Sequence, residues 1–277
     1  MNSSQIRSPE VAGSFYPAKH QELDSVLDGL LAAIPIEEHE GTLRGIIVPH
    51  AGYQYSGVTA AFAYKLLTGL TFDTIVIISP SHKEYFNGVS VYSGKAYETP
   101  FGVLSVDAEL RSELTAKEVN ISISEHGHGA EHAIEVQLPF IQKILGKVKI
   151  LPIVMGDQRR EYCFRLGEKL GEILKGKSAL LVASSDLSHY HPAHDANMHD
   201  AIVIKNVAAF SPERLMESLE RDQAEACGGG PIVAMMIAAR SLGGNTVKIL
   251  DHRNSGDITG DKSSVVGYLS AAILKQR

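Results

Sequence analysis

Three short β-branched runs each lead into a histidine motif, and this repetition constrains the fold more than any other feature of the chain. Gly45-Ile46-Ile47-Val48 leads into Pro49-His50-Ala51-Gly52-Tyr53. Thr74-Ile75-Val76-Ile77-Ile78 leads into Ser79-Pro80-Ser81-His82. Ala179-Leu180-Leu181-Val182-Ala183 leads into Ser184-Ser185-Asp186-Leu187-Ser188-His189-Tyr190. Such runs, separated by helical patterns, are buried strands of a parallel sheet. Ligands in these sheets bind beyond the carboxyl ends of the strands. Three distant stretches therefore deliver imidazoles to one rim, which is how a fold builds a metal or acid–base site.

Strand and helix patterns alternate to the end, without linker, repeat or low-complexity tract. This predicts one α/β domain over residues 1–277, with a central, mostly parallel sheet flanked by helices. Ser56 is placed to cap a helix from Gly57 to Leu70. Val89–Tyr92 and Ala96–Val106 are further strands, the second turning at Thr99–Gly102, and Asp107 caps a helix to about Lys117. The apolar stripe Ile134, Leu138, Ile141 and Leu145 predicts a helix from Glu131 to Leu145, broken early by Pro139. Val148–Val154 is a strand and Arg159–Leu174 a helix. Helices are expected at Ala193–Phe210, Pro212–Arg221 and Pro231–Leu242, with closing strands at Val247–Leu250 and Ser264–Ile273.

A formal charge of −6 without a Lys/Arg cluster argues against nucleic acid as partner. No apolar run approaches the ~18 residues of a membrane span. The N-terminus has no apolar signal segment. Two cysteines, Cys163 and Cys227, fit free thiols in a reducing compartment, so the expected location is cytoplasmic.

One histidine at a strand end is more often a capping or core residue. His50 and His82, on consecutive strand ends in the same style, point instead to a pair of metal ligands. Cys227 precedes Gly228-Gly229-Gly230-Pro231, where glycines allow close approach and a following helix N-terminus favours thiolate. It is either a third ligand or a nucleophile. Cys163, within an amphipathic helix, is core. His189 is a candidate general acid/base, with Asp186 three residues away to fix its tautomer. His132 and Glu135 share a helix face at i, i+3 and suit a supporting or substrate-binding role. Tyr53 and Phe15 are candidates to line the pocket. His126 and His128 are either metal-associated or loop residues, and His191, His194 and His199 are solvated. No GxGxxG, P-loop or GxSxG elbow is present.

These pieces, together with Ala12–Pro17, Thr99–Gly102 and Glu131–Phe140, give the chain a resemblance to the Memo family, also called AmmeMemoRadiSam system protein B, along nearly its whole length. The resemblance implies a fold like that of class III extradiol dioxygenases, non-haem Fe(II) enzymes with a two-His, one-carboxylate triad. It implies metal ligands at His50, His82 and Cys227 and an acid/base histidine at His189. Cysteine replaces the carboxylate; the softer thiolate would bind Cu(I), Zn or Fe, and the resemblance puts Fe(II) first, with Cu or Zn as alternatives. The expected activity is redox or O₂-dependent chemistry on a small-molecule substrate. The family's name implies radical-SAM and AMMECR1-like protein partners. Two other functions remain open: a metal-free cysteine hydrolase using Cys227, His189 and Asp186, and a non-catalytic scaffold.

Overall fold

The computed structural model describes residues 6–35 and 40–276. Residues 1–5 of the N-terminus read for a signal segment lie outside the described residues. The chain runs β1 (Ile6–Arg7), α1 (His20–Ala32), β2 (Thr42–Val48), α2 (Tyr53–Lys65), β3 (Thr74–Pro80), β4 (Val89–Tyr92), β5 (Ala96–Thr99), β6 (Gly102–Ser105) and α3 (Ala108–Thr115). It continues through β7 (Ile121–Ser124), a 3₁₀ turn (Glu135–Gln137), α4 (Leu138–Leu145), β8 (Lys149–Met155), α5 (Arg160–Ile173), β9 (Ala179–Ser184) and β10 (His189–His191). It closes with α6 (Ala193–Ala208), α7 (Pro212–Glu220), α8 (Gly229–Ser241), β11 (Thr246–Asn254), α9 (Gly256–Thr259) and β12 (Val265–Lys275).

The main sheet has the order β10-β12-β2-β9-β3-β8-β4-β7, with β11 on β12. Its centre, β2-β9-β3-β8, is parallel, as the β-branched runs predict. Its margins are antiparallel where β12 meets β2, β10 and β11 and where β4 meets β8, so the sheet as a whole is mixed. A small second sheet, β1-β5-β6, carries the N-terminal strand. Its β5–β6 hairpin turns at Gly102, whose φ of 104° suits only glycine.

Side chains on the central strands alternate between two apolar layers. Ile47, Val76, Ile78, Leu181 and Ala183 pack on one face, with Leu166 and Leu170 of α5 and Met235 of α8. Ile46, Val48, Ile75, Ile77, Leu180 and Val182 face the other layer, with Leu23 and Leu27 of α1, Tyr64 of α2 and Phe140 of α4. Each such side chain contributes about 1.5–3 kcal/mol when fully buried. α8 is apolar on every side because it is buried throughout its first eleven residues.

Register fixes the rim. Val48 pairs with Ser184 and Ile78 with Ala183. His50, Asp186 and His82 each stand two residues beyond the end of three adjacent strands, β2, β9 and β3.

Two local expectations fail. Ser56 is not a cap: α2 begins earlier, at Tyr53, and Ser56 Oγ–H donates back to Ala51 O at 2.9 Å. The Tyr53 amide, otherwise an orphan at a helix start, donates to Phe15 O at 2.8 Å. The stretch 131–145 is not one helix either. Residues 131–134 form a turn, and Pro139 opens α4 rather than breaking it, since its missing N–H costs nothing in a first turn.

Candidate metal centre

One nitrogen from each of His50, His82 and His132 lies within 4.8 Å of the others. The rings are close: centroids stand 5.0 Å apart for His50–His82, 5.4 Å for His50–His132 and 4.8 Å for His82–His132. His50 is buried, while His82 reaches solvent at the mouth.

An oxygen holds or approaches the Nδ1 of each ring. His82 Nδ1 stands 2.9 Å from Glu131 Oε1, and His132 Nδ1 stands 3.4 Å from the same atom. His50 Nδ1 is 2.9 Å from Ser184 Oγ. An imidazole whose Nδ1 is tied to an oxygen is oriented to use Nε2 as a ligand. Glu131 is 3% exposed. Burial pushes its pKa up, but hydrogen bonds from the His82 ring and amide and from the Ala133 amide outweigh this and hold it down to about 2. Both its oxygens are spent on these groups, so it steers the rings rather than joining them. Burial, then the neighbouring imidazoles, lowers the His50 pKa well below its ordinary range and takes His132 down to about 4. Neutral rings with free lone pairs are the form a metal requires.

Cys227, expected as the third ligand, is not part of that cluster, whose third member is His132; it stands beside it, with its Sγ 3.2 Å from His50 Nε2. The Asp186 amide donates to that sulfur at 3.3 Å, and the Cys227 amide donates to Asp186 O at 3.3 Å. Gln158 clasps the loop from outside, donating to Cys227 O at 2.7 Å and accepting from the Gly230 amide at 2.8 Å. Gly228 must be glycine because a Cβ would stand 2.5 Å from Ser184 O. α8 does start just after the cysteine, but burial pushes the thiol up, against free thiolate. The cluster itself is three imidazoles, with both Glu131 oxygens engaged and a cysteine sulfur beside His50. That chemistry fits Fe(II), Zn or Cu rather than an oxygen-loving cation.

The other expected residues divide. His189 Nδ1 stands 2.8 Å from the Leu187 carbonyl, which fixes Nδ1–H and leaves Nε2 free. Asp186 is not its orienter: the buried carboxylate accepts the His50 amide at 2.8 Å, which ties the β9 loop to the β2 loop. Phe15 packs on His132, centroids 4.9 Å apart, and borders the site. Tyr53 does not line it; the ring packs on Tyr16 and Phe140 and its hydroxyl donates to Val136 O at 2.7 Å. Glu135 does not share a face with His132, because no helix exists at 132. Its carboxylate binds Arg7 at 2.7 Å, the Tyr16 hydroxyl at 2.7 Å and the amides of Glu10 and Val11 at 2.9 Å each. It fastens the N-terminal segment that carries Phe15. His128 is a core residue held by Tyr97 and Ser90, and His126 sits outside with Glu84. His191 pairs with Glu225 and stacks on His199. Glu131, Ser184 and Gln137 were not expected at the site; only Glu131, amid a dense His/Glu run, carried any signal.

The fold and rim define an α/β protein with a histidine- and cysteine-lined centre at the carboxyl edge of a parallel sheet core. The Memo-like protein family matches residues 7–272, and the chain belongs to that family. A MEMO1 family protein of Methanosarcina mazei is 41% identical over 273 residues, covering 98% of this chain and 99% of that protein. Its counterpart in Aquifex aeolicus is 40% identical over 271 residues, covering 98% and 100%. In fold, the crystal structure of an uncharacterized protein from Escherichia coli K12 superposes with a TM-score of 0.52 at 15% identity, covering 84% of this chain and all of that one. Among the described residues no helix is long and apolar enough to cross a membrane.

Proposed function

We propose that the protein is a metalloprotein that holds one transition-metal ion, Fe(II) before Cu or Zn, on His50, His82 and Cys227, and carries out redox or O₂-dependent chemistry on a small molecule. The convergence of three oxygen-steered imidazoles beside a sulfur carries this reading. His132 stands close enough to serve as a further ligand or to hold substrate. A bound ion would supply a redox-active Lewis acid with positions left open by three protein ligands. The residues do the rest. Ser184, Glu131 and the Asp186 loop fix the donors. His189, with Nε2 free, accepts a proton at that atom and returns it. Phe15 excludes water over His132.

Metal analysis of anaerobically purified protein tests this. About one ion per chain is expected in the wild type, with most of it lost in Cys227→Ala and in His50→Ala. A wild type that carries no metal and cannot be loaded stoichiometrically would end the proposal.

One observation favours a second reading. Cys227 Sγ against His50 Nε2 is also the geometry of a nucleophile and its base. The base would then be His50 rather than His189. Burial of the thiol opposes it. Alkylation separates the two: a ligand is protected by added metal, whereas a nucleophile reacts regardless.

A further inference from the structure

His50 has a tautomer that can be derived from its neighbours. Ser184 Oγ has three partners besides its own chain: Ala133 O at 2.7 Å, Gln137 Nε2 at 2.8 Å and His50 Nδ1 at 2.9 Å. The Ala133 carbonyl can only accept, so it takes the single hydroxyl proton. Gln137 is oriented unambiguously: its nitrogen also donates to Pro49 O at 2.9 Å, and its oxygen takes the Tyr64 hydroxyl at 2.9 Å. A flipped amide would set oxygen against the Pro49 carbonyl. Gln137 therefore donates to Ser184 and fills one lone pair. The remaining lone pair can only accept, so His50 must carry its proton on Nδ1. All six residues are buried.

We infer that Ser184, backed by Gln137 and Tyr64, is a positioning residue that locks His50 in the Nδ1–H tautomer and reserves Nε2 as a lone pair facing Cys227. Ser184, Gln137 and Tyr64 are not among the proposed ligands and act only through His50. Its purpose rests on the metal-centre reading, but its existence does not. Without it the ring could place its proton on Nε2, and metal binding would first have to overturn that state. Removing such a supporting hydrogen bond costs metal affinity about 10- to 100-fold.

The test is long-range ¹H–¹⁵N correlation of the histidine rings in metal-free protein labelled with ¹⁵N-histidine, with His50 assigned by its absence in His50→Gln. The lock predicts a protonated-type Nδ1 and a lone-pair-type Nε2 for His50 in the wild type. In Ser184→Ala the Nε2–H form should appear; in Ser184→Thr, which keeps the hydroxyl, the wild-type pattern should persist. Co(II) titration, followed by visible absorption, should be about 10- to 100-fold weaker in Ser184→Ala than in the wild type. An Nε2–H or mixed pattern in the wild type would overturn the lock, whether or not Ser184→Ala folds. So would a Ser184→Ala protein with unchanged tautomer and unchanged Co(II) affinity, although the metal centre would then stand. A wild type that shows the predicted tautomer, loses it in Ser184→Ala and binds no Co(II) would support the lock and contradict the metal centre.

Discussion

Histidine supplies two kinds of residue in this chain, and their surroundings separate them. His50 is buried and His132 half-buried, each with a nitrogen turned toward other imidazoles; His128 is buried with both nitrogens satisfied. The Tyr97 hydroxyl meets His128 Nδ1 at 2.7 Å and Ser90 O meets its Nε2 at 3.3 Å, so the neutral ring has both nitrogens satisfied, with Nε2–H donating to the carbonyl and Nδ1 accepting from the hydroxyl. Burial accordingly depresses its pKa from 6.5 to about 3. The sign follows directly. Above pH 6.5 the ring is neutral folded or unfolded, and it costs nothing. As pH falls from there toward 3, only the unfolded chain takes up the proton, and stability drops by about 1.4 kcal/mol per pH unit. His128→Gln should flatten the acid limb of a urea-denaturation profile between pH 6 and 4 by about that slope. A parallel profile would show that His128 titrates freely in the fold. Sequence alone could not separate His128 from His132, four residues away, because each one's role depends on partners more than 30 residues distant.

At the level of elements, the central strands and the helices α3 and α5 to α8 were legible, whereas β1, β7, β10, α1 and the start of α4 were not. β2, β3 and β9 announce themselves because both of their faces are buried and their runs are uniformly apolar. α1 was missed although Leu23 and Leu27 stand a helical turn apart on its buried side. The stretch 131–134 misled because its apolar stripe continues correctly into α4, while Glu131 gathers two local amides and unwinds the start. The clamp between Arg7 and Glu135 was invisible, since it joins residues 128 apart in sequence. It holds β1 and the Phe15 segment over the rim. The two side chains are 6% and 0% exposed, so removing one partner strands a buried charge at a cost of about 3–5 kcal/mol. Glu135→Ala should lose that much stability by urea denaturation and expose the N-terminal segment to protease. A loss under 1 kcal/mol would mean that the clamp fastens nothing.

Across the whole molecule, two helical layers enclose a parallel centre, and its carboxyl edge brings the three clustered imidazoles together. A large open cleft of about 1070 Å³ lies at the opposite edge, beside Thr74, Lys149 and Ala179, away from the histidines. Size is therefore a poor guide to chemistry here. The rim itself was legible from three strand ends; His132 was expected only in a supporting or substrate-binding role, because it arrives from outside those strand ends. A metal held by the proposed ligands would tie the loops after β2 and β3 to the start of α8, and would bind only the folded chain. Zn(II) at about 100 times its Kd should then add about 2.7 kcal/mol to the stability of the wild type, and a chelator should remove the gain. Equal melting with and without Zn(II) would show no such linkage. The central claim is the sulfur-containing ligand set, and X-ray absorption of Zn(II)-loaded protein reads it most directly. The account predicts a sulfur scatterer at about 2.3 Å beside nitrogens at about 2.0–2.1 Å, with the sulfur lost in Cys227→Ala. A nitrogen-only shell in the wild type, unchanged in Cys227→Ala, would contradict it and give the third position to His132.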